Sequence, residues 1–151
     1  MTAVEKYLYG YLDSKRKLQD IEEERKSLRE MLVHITPSYS GAAVKHSSNA
    51  NKIPDTIAQL SELDQEYNEE AVRSISQMKG IKSTIIQIDN GQARQVLMKY
   101  FILGLPHKEI AVDMKCSDRW EHELYKMGVE EAQRILEGEG QLQLLYPEID
   151  E

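Results

Sequence analysis

Residues 105–126 read LPHKEIAVDMKCSDRWEHELYK. Whether this stretch is one interrupted helix or two short helices around a tight turn decides the fold. Apolar Ile110, Ala111 and Met114 recur at helical spacing over Pro106 to Met114, and a second periodic stretch runs from Asp118 to about Leu136 with Leu124, Tyr125, Gly128, Ala132 and Ile135. Lys115, Cys116 and Ser117 between them suit the short turn of a helix-turn-helix, and Ala111 is small enough to let the two helices approach closely. At about 100° per residue, Arg119, His122, Glu123 and Lys126 share one outward stripe opposite Leu124 and Gly128.

That stripe is what a DNA-recognition helix presents to the major groove. Arg119 is the candidate base reader, because a guanidinium can donate two hydrogen bonds to guanine, whereas Lys108, Lys115 and Lys126 suit phosphates. The expected DNA-binding set is therefore Lys108, Lys115, Ser117, Arg119, His122 and Lys126. Identical spacing also describes a solvated helix face carrying i,i+4 pairs.

Working upstream, Gln92 to Leu103 shows Val96, Leu97, Tyr100 and Phe101 on one side, so three helices can close a small domain over residues 91–136. Asp89-Asn90-Gly91 is a break that sets the expected boundary near residue 90. Residues 1–90 read as a helical arm. From Val4 to Leu32, positions Tyr7, Tyr11, Ser14, Leu18, Ile21, Arg25, Leu28 and Leu32 step by four and three. Two of these eight are polar or charged, which favours a helix packed on its own chain, or a weak homodimer through the arm, over a long zipper. Flanking Lys15, Arg16 and Lys17 and then Glu22, Glu23 and Glu24 read as a solvated face.

Thr36-Pro37 ends that helix and opens a linker over about 36–52. Periodicity resumes near Pro54, which suits a first turn, with Ile57, Leu60, Tyr67, Ala71, Met78, Ile81 and Ile85 keeping nearly the same rhythm. This second long helix is expected to fold back on the first as a hairpin, with Gly80 a site for a bend. The expected fold class is thus all-α: a long N-terminal helical hairpin or coiled-coil arm followed by a small C-terminal helix-turn-helix domain.

The net charge of −7 is unevenly spread. Basic and acidic residues balance at seven each over residues 91–136, while residues 137–151 hold Glu137, Glu139, Glu148, Asp150 and Glu151 and no basic residue. A neutral reading element neither supports nor excludes phosphate contact. The acidic tail either moves near the DNA-facing surface, where it repels phosphate, or docks through Leu142, Leu144, Leu145, Tyr146 and Ile149; so many large apolar residues favour docking.

Other classes fit poorly. No apolar run approaches the length of a membrane span and the first 30 residues are charged throughout, so neither a span nor a signal peptide is expected, and a cytoplasmic protein follows. Cys116 is the single cysteine. It lies close to His107 and His122, but structural zinc takes four ligands, so no metal or other cofactor is expected and Cys116 reads as a small buried thiol. No phosphate loop, H-E-x-x-H or nucleophile elbow occurs, and the acidic residues sit on amphipathic helices, so catalysis is not expected.

The order of features resembles the ArpU-like phage late-transcription regulators, whose C-terminal part is similar to region four of bacterial sigma factors. The similar stretches are ITPSYSG in the linker, QVLMKYFILGLPHKEIAVDM over the first two helices of the C-terminal domain, and CSDRWEHELYKMG over the recognition helix and its entry turn. The resemblance covers most of the chain and implies a protein that binds double-stranded DNA at a phage promoter and switches on late genes. Two positions depart from the family's pattern. His107 stands where an aromatic residue is usual, and Glu121 where an apolar inner-face residue is usual. A carboxylate should not be buried unpaired. A capping box, with Asp118 as the cap and Glu121 folding back to it, would keep Glu121 out of the core and leave Trp120 to supply the apolar contact. Alternatively the element serves protein contact, and the chain is an interaction module that touches RNA polymerase or another phage component through its arm without DNA affinity.

Overall fold

Thr2 and Glu5 start the chain with a reciprocal cap: the Glu5 N–H donates to Thr2 Oγ1 at 3.3 Å and the Thr2 N–H to Glu5 Oε2 at 3.1 Å. Helix α1 (Ala3–Ile35) follows. The computed structural model describes residues 1–35 and 47–140, and over these the protein is all-α. The remaining elements are α2 (Ser47–Ile85), α3 (Gly91–Leu97, continuing as a π-helical turn over Met98–Ile102), α4 (His107–Asp113) and α5 (Asp118–Gly138). Among the described residues, no helix is long and apolar enough to cross a membrane.

The chain divides into two compact units, one made of Met1–Asp13 together with the chain from Ser74 onward, the other of Ser14–Arg73. In the second unit α1 and α2 run antiparallel, with Ser14 opposite Glu70 and Arg25 opposite Asp64. The seam expected in α1 is the protected face, since Leu18, Ile21, Arg25 and Leu28 are partly buried between mostly exposed neighbours and Ser14 is buried. Its two polar members have partners. Ser14 Oγ donates to Glu70 Oε2 at 2.5 Å, and Arg73 pairs with the same carboxylate. The Arg25 guanidinium lies 4.0 Å from the Tyr67 ring centre and meets Glu22 and Asp64 at 2.9 Å each. Its hydrogen bond to Glu22 holds that carboxyl below the usual range.

Three expectations for α2 are corrected. The helix begins at Ser47, not near Pro54, so the linker does not extend to residue 52. Pro54 lies inside the helix, with helical residues before and after it, although an interior proline both lacks the donor and crowds the carbonyl four residues back. Ile57 is 54% exposed while Thr56, Glu70 and Ser74 are buried, because the packed face of α2 is partly polar. The linker residues 36–46 and the tail 141–151, with the choice between a docked and a mobile tail, lie outside the described residues.

The expected domain boundary near residue 90 falls inside the first unit. Val4 and Leu8 of α1 and Ile81 and Ile85 of α2 share one buried cluster with Ile88, Ala93, Val96, Leu97, Phe101, Ile110, Leu124, Ala132 and Leu136. Asp89-Asn90-Gly91 is nonetheless a true break between helices, where Asn90 Oδ1 caps α3 by accepting from the N–H groups of Gln92 (3.0 Å) and Ala93 (3.1 Å). A backbone break need not part a core. Gly80 continues α2, and a Cβ there would come within 2.9 Å of the Tyr7 hydroxyl, so its role is close approach.

Candidate nucleic-acid interface

Two helices and a tight turn lie where the sequence placed them, an arrangement compatible with the expected motif. Pro106, in extended conformation, precedes α4, which buries Ile110 and Ala111. Met114 caps the C-terminus, and Lys115 takes a left-handed conformation with φ 55°. The Cys116 N–H then donates to the Ala111 carbonyl at 3.0 Å and the Lys115 N–H to that of Val112 at 3.1 Å. These are the two hydrogen bonds of a Schellman ending. The chain leaves this turn already directed into α5.

Ser117 caps α5, accepting from the Trp120 N–H at 3.0 Å. Its placement corrects the expected capping box. With the cap one residue earlier than Asp118, the third helical residue is Trp120, so Glu121 is not placed to fold back to the cap amide and stays on the inner face, three residues before Leu124. Glu121 is consequently buried, with 0% of its surface exposed, and Trp120 is 44% exposed instead of supplying a core contact. Leu124, Gly128 and Ala132 are buried as expected, with Leu136 in place of Ile135 as the last core residue.

Lys108, Lys115, Ser117, Arg119, His122 and Lys126 are all exposed. Lys115, Ser117, Arg119, His122 and Lys126 lie on the turn and the first half of α5, and Lys108 lies on the first turn of α4. Among the described residues, Lys108, Lys115, Arg119 and Lys126 form no ion pair, in contrast to Lys99, which pairs with Asp113. Exposed Asp118 and Glu123 lie on the same helix, so the face is mixed in charge. Cys116 is half-buried, not the fully buried thiol expected.

Beneath this face lies an arrangement that periodicity did not anticipate. Glu121 Oε2 meets His107 Nδ1 at 2.7 Å, and Glu121 Oε1 is buried with no hydrogen-bond partner. His107 stacks on Tyr100 at 4.3 Å between ring centres and meets Tyr125 edge-on at 4.9 Å. The Tyr100 hydroxyl shares a 2.5 Å hydrogen bond with that of Tyr9. Burial, then the Tyr9 hydrogen bond, pushes the Tyr100 phenol up to about 12, and burial raises Tyr125 in the same direction. The two departures at 107 and 121 are thus one feature, a buried acid and the imidazole that satisfies half of it. Ligand atoms of His107, Glu121 and His122 lie within 4.8 Å of one another.

Comparison of the chain with protein-family models, with curated proteins and with solved structures finds no match.

Proposed function

We propose that the protein is a phage or prophage transcription regulator that binds double-stranded DNA through α5, a role in keeping with its resemblance to ArpU-like regulators. The observation that carries this is the row of exposed Lys115, Arg119, His122 and Lys126, its cations without ion-pair partners among the described residues, along a helix whose opposite face is packed on α3 and α4. A rigid helix with an unengaged basic edge suits a groove. The protein acts in the bacterial host cytoplasm, without chemistry of its own. RNA polymerase and a second copy, paired through the arm, are its proposed protein partners.

The test is binding to a random-sequence DNA pool, followed by titration of a selected site at several salt concentrations. With about three phosphates engaged, log affinity should fall with log salt at a slope of about −3. Replacing Arg119 by Ala should weaken the selected site by about 1–3 kcal/mol and relax preference at one base pair, while Lys126→Ala weakens all sequences alike. Absence of binding at low salt would sink the proposal.

A second reading has its own support. Val112 of α4 is 78% exposed and Leu103 is 62% exposed, apolar surface beside Lys108 that suits a protein partner. Under that reading, Val112→Asp abolishes partner capture and leaves DNA affinity unaltered.

A further inference from the structure

Glu121 is the residue that its surroundings explain least. Its side chain is 1% exposed, one oxygen meets His107, and the other has no partner. A buried carboxylate oxygen left without a donor costs its full desolvation penalty. An apolar residue in its place would avoid that cost, so something beyond packing favours the acid.

We propose that His107, Glu121 and His122 bind a divalent transition-metal ion of zinc-like preference. The three side chains offer two imidazole nitrogens and one carboxylate oxygen, all within 4.8 Å of one another. Two histidines and a glutamate are a sufficient three-residue set for zinc when solvent fills the remaining position. Imidazole ligands favour zinc, copper or nickel over magnesium and calcium, which take oxygen. Ligands around an ion with bonds of about 2.0–2.2 Å stand about 3.4 Å apart. His107 and Glu121, now 2.7 Å apart, need only open slightly, and His122 is exposed and closes the site by side-chain rotation. Stacking on Tyr100 holds the His107 ring in place. The ion supplies the missing partner of Glu121 and ties the start of α4 to the first turns of α5. By sequence spacing Cys116 is the near neighbour of the two histidines, and no metal is expected there; the residue that the fold brings to them is Glu121. Metal binding does not require DNA binding, although His122 belongs to both residue sets.

Calorimetric titration of zinc chloride into the full-length, tag-free, chelator-treated protein tests the proposal. One equivalent should bind with a dissociation constant of about 1 μM or tighter, and zinc should raise the melting temperature. Cobalt(II) in its place should give the visible absorption of a low-coordinate site. His122→Ala, at an exposed position, should fold as the parent does, bind zinc at least about tenfold more weakly and lose the melting shift. Glu121→Gln, which keeps the side-chain shape, should do the same, and His34→Ala on α1 should change nothing. No saturable binding, or binding that survives both His122→Ala and Glu121→Gln, would overturn the proposal and leave a structural histidine–glutamate pair.

Discussion

Single atoms decide what several residues of the first unit tolerate. A Cβ on Gly128 would stand 2.8 Å from Leu97 Cγ and 3.0 Å and 3.2 Å from its two Cδ atoms. Leu97 is itself fully buried, so it has no free space to rotate into. Gly128→Ala gains about 1 kcal/mol of helix propensity but overpacks a closed core at a cost of about 1–3 kcal/mol. With so closed a core the overpacking should win, and urea denaturation should show a net loss of up to about 2 kcal/mol. A gain in stability would mean that Leu97 moves freely. Tyr100 gives a pH dependence of definite sign. Its phenol titrates at about 12 in the fold and at about 10 in the unfolded chain, so the stabilisation is whole below pH 10 and is lost as pH rises towards 12. Urea midpoints should decline over that window, and less steeply for Tyr100→Phe; parallel declines would contradict the shift. Such residues show where the sequence was readable. Leu124, Gly128 and Ala132 followed from a 3.6-residue period, and so did the inner-face position of Glu121; what the period cannot detect is that Ser117 and not Asp118 caps the helix, so that Glu121 does not fold back to a cap amide. Glu70 and Thr56 are polar members of a packed face, invisible to a count of apolar positions, whereas the buried Ser14 lay on the expected seam.

Elements were more legible than their ends. All five helices are present, yet α2 starts two turns early, and Gln92 to Leu103 conceals a change of hydrogen-bond step. The Leu103 N–H donates to Met98 C=O at 3.1 Å, five residues back, and Gly104 then takes φ +72°. Periodicity cannot separate five residues of π-helix from α-helix when Val96, Leu97 and Phe101 point to the core in both. The turn between α4 and α5 was legible in position but not in conformation. Lysine pays a steric penalty at φ 55° that glycine does not. Lys115→Gly should therefore stabilise the protein by about 1 kcal/mol through the Schellman ending, read as a raised melting temperature. If Lys115 contacts a phosphate, the same variant should bind DNA more weakly and with a shallower salt slope. Together the two readouts separate turn geometry from charge: greater stability with unchanged DNA affinity would remove Lys115 from the interface.

Over the whole molecule, the division of the core overrules the division suggested by the sequence. A break at Asp89-Asn90-Gly91 and a change in helix length pointed to a domain beginning at residue 91, and both features are real. What they do not report is which long-range partners complete the core. Val4 and Leu8 sit at the start of α1, about eighty residues before Ile85 in the chain, and are exposed by only 1% and 0%. Local periodicity has no means of pairing such distant segments. Their burial has a direct consequence for truncation. Each fully buried aliphatic side chain contributes about 1.5–3 kcal/mol, and a fragment of residues 91–140 lacks five of them, Val4, Leu8, Ile81, Ile85 and Ile88. Even at the lower value the summed loss is about 7.5 kcal/mol, comparable with the whole stability of an ordinary domain, about 5–15 kcal/mol. The fragment should accordingly show mostly coil by circular dichroism and no cooperative melting. Residues 74–140 should regain part of the helical signal, because α2 then supplies Ile81 and Ile85, and adding a peptide of residues 1–13 should restore a cooperative transition at high peptide concentration. A fragment of residues 91–140 that melts as sharply as the full chain would show that the three C-terminal helices close a sufficient core unaided.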